Sequence, residues 1–272
     1  MIGILDWGIG GLAFFTSLRR RGISSPVIYF SDSGATPYGR LSAGDLRVRV
    51  LDVATYLRAH GVRKLVVACN AASTVLPSLG VSGLHGTLPT SAGDLEVTGV
   101  IGHAVRVARA ARVRQLGVIG GSRTIRSGIY RRALTTAGRT VIQRVAQPLS
   151  AYVERGELES GRLERELEAI LAPLRGVDAL LLACTHYTAL SSHFRRHLPR
   201  ARLLDPTEEM VSWVATHWTV SEGGRDRFLT SGDAVAMRAS ARRAFGVNLR
   251  GVSQVCLPVP AWSVKPGSAV RE

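Results

Sequence analysis

Cysteine is scarce in this chain, and its three copies have no spacing typical of a metal site or a disulfide framework. Cys69, Cys184 and Cys256 are far apart in the sequence and never form a Cys-x-x-Cys pair. Small secreted domains that depend on disulfides carry many more cysteines, and zinc ribbons need paired ones. The sequence therefore predicts free thiols, no bound metal and a reducing cytoplasm. Cys256 lies outside any motif, and we expect it to be structural.

Long apolar runs are also missing. No segment approaches the continuous apolar length of about 18 residues or more that a membrane span needs. Asp6 and a glycine cluster interrupt the apolar start of the chain almost at once, and no basic segment precedes it. We therefore expect neither a signal peptide nor a transmembrane helix, and no membrane partner.

Lysine is almost absent, although the chain is strongly basic. Lys64 and Lys265 are the only lysines among 35 basic residues, and the formal net charge is +15. A basic surface attracts nucleic acid through its phosphates, so a DNA partner is one interpretation. The arginines are spread along the chain, the dense clusters at 19–21 and 123–132 lie on or near predicted helices, and Tyr130 is the only aromatic residue within those clusters. That distribution favours a compositional bias and solvated helix faces over a nucleic-acid site.

One apolar segment ends abruptly in polar side chains. Residues 179–183 are all apolar, and Cys184, Thr185 and His186 follow directly. A short segment that is apolar on both faces is typical of a buried parallel strand, and ligands collect beyond the carboxyl ends of such strands. Cys184 is therefore a candidate site residue.

The same pattern occurs earlier in the chain. The apolar run that begins at Lys64 ends in Cys69 and Asn70, and this cysteine is 115 positions before the other one. A second pair of similar segments, 2–8 and 116–122, repeats with an offset of 114. Two matches at nearly one offset predict an internal duplication, with one strand-end cysteine in each half.

The duplication and the alternation of strand and helix patterns predict the fold class. At 272 residues the chain can bury two moderate cores. We predict an α/β protein with two similar open parallel-sheet domains, related by internal pseudo-symmetry, with the active site between them. The first domain is expected at 1–94 plus 207–272 and the second at 95–206. The segment 78–94 is rich in Gly, Ser, Thr and Pro, and we expect it to be the crossover.

Hydrophobic periodicity gives the expected elements. Strands are predicted at 2–5, 26–30, 64–68, 97–101, 116–119, 141–145, 179–183, 201–204 and 227–230. Helices are predicted after the glycine turn at 8–11 and at 45–60, 103–112, 158–174, 190–198 and 234–245, with further helices opening at 122 and around 210–214. The segment 148–156 is predicted to be a loop, 221–225 a turn, and the proline-bearing last sixteen residues a loosely packed tail.

The glycine turn after the first strand allows another interpretation. Gly8-x-Gly10-x-x-Ala13 follows a strand and opens a helix, and Asp32 ends the next strand, where dinucleotide-binding domains place a ribose-binding acid. Glycines also allow a sharp turn and a close approach of the helix to the sheet, without any ligand. The pattern by itself leaves both interpretations open.

Six short motifs occur in an order and spacing that is specific as a set. They are Asp6-x-Gly8-x-Gly10-Gly11-Leu12, Pro37-Tyr38-Gly39, Ala68-Cys69-Asn70, Gly117-Val-Ile-Gly120 with 124–127, Cys184-Thr185-His186-Tyr187 and Phe228-Leu229-Thr230-Ser231-Gly232. Together they resemble the glutamate racemase family, within the cofactor-independent aspartate/glutamate racemase superfamily. The resemblance extends from residue 2 to about residue 246, and it argues against dinucleotide binding.

The resemblance implies an amino-acid racemase without a cofactor. Its two cysteines would flank the α-carbon of the substrate, one taking the proton as a thiolate and the other returning a proton to the opposite face. A thiol titrates near 8.5 when unperturbed, so one residue type can act as both acid and base. The resemblance also implies a homodimer and the supply of D-glutamate for peptidoglycan.

The resemblance further implies roles for individual residues. Asp6 and His186 would assist the two thiols, with Asp32 and Glu154 as further polar support. The substrate would contact Asp6, Trp7, Tyr38, Gly39, Asn70, Ala71, Thr124, Thr185 and His186. Without the resemblance, Asp6 could cap the turn, Asp32 could begin an Asx turn and Glu154 could be solvated.

Two residues depart from the family pattern. Trp7 stands where the family has serine, and Ala71 stands where it has threonine, and both family hydroxyls contact substrate. Buried polar groups left without partners cost about 1 to 3 kcal/mol each, so the pocket should bind a polar substrate less well or have another shape. The segment 101–103 also lacks the acidic and proline residues usual there. The alternatives are therefore a racemase of a different amino acid and a catalytically silent relative that binds a partner such as DNA.

Overall fold

A seven-stranded sheet forms the larger part of the protein. The computed structural model describes residues 1–219 and 223–257. The strands of this sheet lie in the order β11-β10-β2-β1-β3-β5-β4, and every neighbouring pair is parallel except β4 and β5. Their bounds are β1 Ile2–Asp6, β2 Val27–Ser31, β3 Lys64–Val67, β4 His85–Leu88, β5 Leu95–Gly99, β10 Arg227–Thr230 and β11 Val252–Gln254.

A second sheet has four strands, all of them parallel, in the order β7-β6-β8-β9. Its strands are β6 Gln115–Gly120, β7 Thr140–Val145, β8 Ala179–Ala183 and β9 Arg202–Leu204. Both β1 and β8 are buried along their whole length, as expected for strands covered on both faces. The prediction of an α/β fold with two parallel-sheet units is confirmed.

The two sheets repeat one another in strand order and in register. The order β2-β1-β3-β5 of the first sheet corresponds to β7-β6-β8-β9 of the second. Residues paired across the strands correspond at offsets of 114 or 115, since Ile2, Val27 and Lys64 are aligned in the first sheet and Leu116, Val141 and Ala179 in the second. This repeated register is the structural form of the duplication detected in the sequence.

Eleven α-helices connect and cover the strands within the described part of the chain. Their bounds are α1 Leu12–Arg20, α2 Ala43–Ala59, α3 Asn70–Ser73, α4 Val100–Ala110, α5 Ser122–Arg126, α6 Ile129–Leu134, α7 Gln147–Arg155, α8 Gly161–Leu171, α9 Ser191–His197, α10 Thr207–His217 and α11 Ala234–Phe245. Short 3₁₀ turns lie at Tyr38–Arg40, Leu76–Leu79, Ala172–Leu174 and Thr185–Leu190.

Helix α2 shows how the sequence sets these elements. Ser42 precedes it and accepts a hydrogen bond from the backbone of Asp45, which satisfies one of the free N–H groups of the first turn. Its apolar residues recur at helical spacing and are buried against the first sheet, namely Leu46, Val50, Val53 and Leu57. Gly61 follows at φ +90°, a conformation that ends a helix readily.

The boundary between the two sheets differs from the prediction. The strand expected at 97–101 is β5, and it pairs with β3 of the first sheet, so the second unit does not begin at residue 95. Gly99 is extended and the chain turns into α4 at Val100. Leu95 and Val97 pack in the core of the first sheet, beside Leu88 of β4. The apolar pattern of this segment carries no local signal of which sheet the strand joins.

Two segments predicted to be irregular are in fact ordered. The crossover at 78–94 contains β4, which pairs antiparallel with β5. The segment at 148–156 is part of α7, because Pro148 occupies the first turn, where it needs no N–H partner. Leu149, Tyr152 and Val153 are buried at helical spacing, and Gly156 at φ +67° ends the helix. The proline and the short length concealed this helix in the sequence.

Some predictions concern residues outside the described ranges. The turn at 221–225 is described only from residue 223 onward, where no regular element occurs before β10. The tail carrying Pro258, Pro260 and Pro266 lies outside the described residues. Among residues 1–219 and 223–257, no helix is long and apolar enough to cross a bilayer, and no group of three or more His, Cys, Asp or Glu side chains is arranged to hold a metal ion.

Candidate active site

The two motif cysteines occupy equivalent positions at the ends of two strands. Strand β3 leads into Cys69, which immediately precedes α3, and β8 leads into Cys184, which immediately precedes the 3₁₀ turn at Thr185–Leu190. Cys69 is buried and Cys184 is half-buried. Both line one cavity, so the repeated fold brings one thiol from each sheet to a common space.

All nine residues predicted to contact substrate line this cavity together with the two cysteines. Its volume is about 50 Å³, much less than that of two open clefts of about 450 and 520 Å³ on other parts of the described surface. The cleft of about 450 Å³ lies beside Ile101 and Gly102, and Arg106 and Arg109 are its ionisable lining residues. Neither large cleft contains a thiol, so the small cavity is the candidate active site.

Asp6 is the last residue of β1, and it lines the cavity. Its Oδ1 accepts the backbone N–H of Trp7 at 2.7 Å, and its Oδ2 accepts the hydroxyl of Thr185 at 2.7 Å. Burial raises the pKa of this carboxyl, and the His186 charge and the two hydrogen bonds oppose that rise without cancelling it. A carboxyl with a raised pKa is suited to exchange a proton with a neighbouring acid or base.

Cys69 is kept in the thiol form by its surroundings. Burial raises the pKa of this thiol well above its ordinary value, and the negative charge of Asp6 raises it further. Backbone N–H groups at Trp7 and Ala72 act in the opposite direction. The free protein therefore holds a proton donor at the first strand end.

The surroundings of Cys184 are different, because an imidazole and a carboxylate stand behind it. Nδ1 of His186 lies 3.7 Å from Sγ of Cys184, and Nε2 lies 2.5 Å from Oε1 of Glu154. Burial alone would lower the pKa of His186, but the hydrogen bonds to Cys184 and Glu154 outweigh it and raise that pKa well above its ordinary value. The second strand end therefore holds an imidazolium beside the sulfur.

Glu154 connects the two halves of the site. It belongs to α7, and its Oε1 also accepts the backbone N–H of Ile9 at 2.9 Å, in the glycine turn after β1. It contacts His186 rather than the cavity. Its position suits the predicted supporting role, because Glu154 orients the imidazole of His186 and favours its charged form.

Asp32 is not part of the cavity lining. The bidentate guanidinium of Arg49 lies 2.6 and 2.8 Å from its carboxylate oxygens, and the hydroxyls of Tyr38 and Ser231 donate to it at 2.6 and 2.7 Å. Asp32 and Arg49 are both buried. The structure therefore places Asp32 behind Tyr38, as a group that fixes a cavity residue and does not touch the cavity itself.

The sequence analysis missed several lining residues. Gln147 and Ser150 of α7 line the cavity, as do Pro37 and Gly121. A signal for Gln147 existed, because it follows the predicted strand at 141–145 and ligands collect beyond strand ends. The prediction of a loop at 148–156 hid it.

The two departures from the family pattern have clear positions. The indole N–H of Trp7 donates to the backbone oxygen of Ala35 at 3.1 Å, so it is satisfied inside the protein and is not directed at a ligand. The Trp7 ring lies 6.4 Å from the ring of His186, between centroids. Ala71 lines the cavity with a methyl group. Two hydroxyl donors of the family are therefore replaced by apolar surface.

The glycines of the first turn serve close packing. A side chain at Gly10 would collide with Thr185 and His186, and one at Gly8 would collide with Glu154. The space that a dinucleotide would need beyond this turn is filled by the residues that follow Cys184. The glycine pattern is therefore explained by the approach of the second sheet to the first.

The arginine cluster at 19–21 is largely used within the protein. Arg19 forms an ion pair with Asp226 at 2.5 Å, and its guanidinium also donates to the backbone oxygens of Ile23 and Ser25. Arg20 lies 3.6 Å from Glu208. These contacts support a structural role for the cluster.

Two similar α/β units that each bring one thiol to a shared cavity, backed by a carboxyl on one side and an imidazole on the other, define an isomerase of the racemase class. Such an enzyme needs acid and base groups on both faces of one carbon. The chain belongs to the Asp/Glu/hydantoin racemase family, whose model matches residues 18–214.

Individual relatives agree with this assignment. The chain is 33% identical to a glutamate racemase of Thermus thermophilus over 272 residues, which cover 94% of this chain and 96% of the relative. A glutamate racemase of Shouchella clausii is 30% identical, with 95% of each chain covered. Both relatives match over nearly their whole length.

Solved structures show the same fold. A crystal structure of the Thermus thermophilus glutamate racemase in complex with β-chloro-D-alanine has a TM-score of 0.78 and 32% identity, covering 93% of this chain and 96% of that one. A glutamate racemase isoform of Bacillus anthracis has a TM-score of 0.81 and 26% identity, covering 95% and 98%. The resemblance noted from the six motifs is therefore confirmed.

Proposed function

We propose that this protein racemises an amino acid without a cofactor, with glutamate as the substrate, by using Cys69 and Cys184 as the acid and the base. The observation that carries the proposal is that these two thiols occupy equivalent strand ends of a repeated fold and line one cavity. A racemase must reach both faces of one carbon, and two equivalent thiols from two sheets meet that requirement.

The protons balance in each direction. The thiolate of one cysteine takes the proton from the α-carbon, and the thiol of the other cysteine gives a proton to the opposite face of the resulting carbanion. Each turnover therefore leaves the protonation of the two cysteines exchanged. We expect Asp6 and His186 to restore the original protonation of the two cysteines. Asp6 acts electrostatically on Cys69, and the His186 ring contacts Sγ of Cys184.

Glutamate is supported by the relatives, which are named glutamate racemases. The lining also has hydrogen-bond donors for two carboxylates, including the side chains of Asn70, Thr124 and Gln147. Trp7 and Ala71 motivate the alternative, a different amino acid. The residues that carry the chemistry are the same for both.

The setting of the reaction is a further part of the proposal. We propose that the product, D-glutamate, supplies peptidoglycan synthesis in the cytoplasm, and that the enzyme acts as a homodimer. Free, unpaired cysteines support a reducing compartment, since all three are unlinked within the described residues. Gel filtration with light scattering measures the oligomeric state directly.

The function is tested by incubating each enantiomer of a panel of amino acids with the protein in heavy water. Loss of the α-proton signal and decay of optical rotation are followed together. Both changes are expected with glutamate. If neither change occurs with any amino acid, including aspartate and glutamate, the racemase proposal fails. If both changes occur only with another amino acid, that amino acid replaces glutamate as the proposed substrate.

A further inference from the structure

Gln147 has a side-chain amide whose two ends are clearly distinguished. Its Oε1 accepts the backbone N–H of Ser122 at 3.0 Å. An N–H donor can bond only to the oxygen of an amide, so the NH₂ group must point away from Ser122. Within residues 1–219 and 223–257 that NH₂ group makes no hydrogen bond, and the side chain lines the cavity. It is a fixed, unused donor.

The amide of Gln147 reaches across to the other sheet. A Cβ atom built at Gly39 would lie 3.3 Å from Nε2 of Gln147 and 2.5 Å from its Oε1. Gly39 follows β2 of the first sheet, and Gln147 follows β7 of the second. The two strands are equivalent in the repeated fold, so Gln147 and Gly39 close the same part of the cavity from opposite sides.

This part of the cavity is separated from the cysteines. Strand β6 lies between β7 and the cysteine-bearing β8, just as β1 lies between β2 and β3. Neighbouring strands are about 4.8 Å apart, which places the strand ends before Gln147 and Cys184 roughly 10 Å apart. When the α-carbon lies between the sulfurs, Gly39 and Gln147 line a separate part of the cavity that is available to the substrate side chain.

A second amide lies beside the cysteines and is fixed in the same way. The hydroxyl of Tyr130 donates to Oδ1 of Asn70 at 2.6 Å, which leaves the NH₂ group of Asn70 for the cavity. Asn70 directly follows Cys69, and both residues line the cavity, so this donor lies close to one of the two thiols. The cavity thus has one amide donor near the reacting carbon and another at its far end.

We propose that Gln147 is a specificity-determining residue that binds the distal carboxylate of a dicarboxylic amino acid through its NH₂ group. The inference rests on the proposed racemase function and names the substrate class that the cavity selects. A carboxylate is the acceptor that gains most from such a donor, because the hydrogen bond is charge-assisted. This donor offsets the loss of the two hydroxyls at Trp7 and Ala71.

The decisive variant is Gln147→Glu, which is nearly isosteric. One carboxylate oxygen of the variant still accepts the N–H of Ser122. In the cavity, the NH₂ donor is replaced by the second, negatively charged oxygen. The expected result at pH 7 is a rise of at least tenfold in KM for glutamate, with kcat within about threefold of the unsubstituted protein. Gln147→Leu removes the donor without adding charge and should raise KM by a smaller factor.

Two controls separate recognition from folding. Gln143→Leu changes a glutamine of the preceding strand, β7, that does not line the cavity, and the KM of this variant for glutamate should be unchanged. Norvaline has the length of glutamate without the distal carboxylate, and its inhibition constant should be the same for the unsubstituted protein and for Gln147→Glu.

The outcomes distinguish the two proposals. If the unsubstituted protein exchanges glutamate and Gln147→Glu keeps its KM, the role of Gln147 is refuted while the racemase function stands. If norvaline and glutamate lose affinity equally, Gln147 acts only on the shape of the cavity and the proposal is again wrong. If the unsubstituted protein exchanges another amino acid but no dicarboxylic one, the role of Gln147 is refuted and the racemase function stands with a different substrate.

Discussion

The phenol of Tyr130 donates a hydrogen bond to Oδ1 of Asn70 over 2.6 Å, from α6 of the second sheet unit to α3 of the first. Tyr130 is fully buried, and burial keeps it a neutral donor by raising its pKa. The bond fixes which end of the Asn70 amide faces the cavity, so we assign Tyr130 a positioning role.

Replacing Tyr130 by phenylalanine should therefore weaken substrate binding without slowing the chemical step. A neutral hydrogen bond contributes about 0.5 to 1.5 kcal/mol, which corresponds to a rise in KM of about 2- to 12-fold with kcat nearly unchanged. The measurement is steady-state racemisation of glutamate. In an Asn70→Ala background the same change should have no further effect on KM, since Tyr130 acts only through Asn70.

Tyr187→Phe is the matched control for that variant. Tyr187 is equally buried, and its hydroxyl donates to the backbone oxygen of Ala146 at 2.6 Å, outside the cavity lining. Its loss should lower stability and leave KM unchanged. Equal KM changes in the two phenylalanine variants would show that the Tyr130 effect is merely structural.

The two thiols should each be necessary for racemisation. We expect Cys69→Ser and Cys184→Ser to nearly abolish it in both directions, because every inversion uses one thiol as base and the other as acid. Each variant retains one thiol and should still eliminate from one enantiomer of an analogue with a β-leaving group, the two variants preferring opposite enantiomers. Chloride release from the two forms of β-chloroalanine measures this preference.

Cys256→Ser serves as the control for the cysteine variants, since Cys256 is exposed and outside the cavity. It should racemise like the unsubstituted protein. Elimination from the same enantiomer by both active-site variants, or racemisation at full rate by either one, would contradict the two-thiol mechanism.

Glu154→Gln should shift the pH dependence of the reaction. The change keeps an oxygen for the N–H of Ile9 and removes the charge beside His186. The raised pKa of His186 should fall, so the alkaline limb of the pH profile of kcat/KM should move to lower pH. An unchanged alkaline limb would show that His186 does not control it.

The same variant makes a prediction about stability. A pKa raised on folding stabilises the folded state below the unfolded value, about 6.5 for histidine, and that contribution disappears as pH rises through the folded pKa. Glu154→Gln should therefore be less stable by about 1.5 to 3 kcal/mol near pH 6, and the difference should shrink in alkaline solution. Urea unfolding at a series of pH values measures it.

Asp32→Asn should act mainly on stability. The substitution removes the charge of the carboxylate that pairs with the buried Arg49 guanidinium, and breaking a buried ion pair typically costs about 3 to 5 kcal/mol. Because Asp32 does not line the cavity, molecules that remain folded should keep kcat within a few-fold. Chemical unfolding and active-site titration together separate the two effects, and Glu157→Gln, in an exposed ion pair with Arg155, is the control.

Much of the fold was predictable because its signals are local. The apolar strands before Cys69 and Cys184, the capped amphipathic helix α2 and the repeated offset of 114 to 115 residues all follow from periodicity and spacing. The helix at Gln147–Arg155 was missed, because Pro148 at its first turn looks like a loop signal in the sequence. The assignment of β5 to the first sheet was missed because strand pairing is a long-range property.

The candidate site, like the fold, was predictable only in part. The sequence by itself determined which strand ends form the site, since the cysteines and the predicted substrate contacts occupy strand ends that parallel sheets bring to one edge. Only the tertiary structure decided what each residue touches. Asp32 was withdrawn from the cavity by Arg49, and Gln147 was brought into it against Gly39. The physical reason is that single strands, and the polar residues at their ends, follow from short-range patterns, whereas the partner of a strand, a buried charge or an amide is set by packing between segments far apart in the chain.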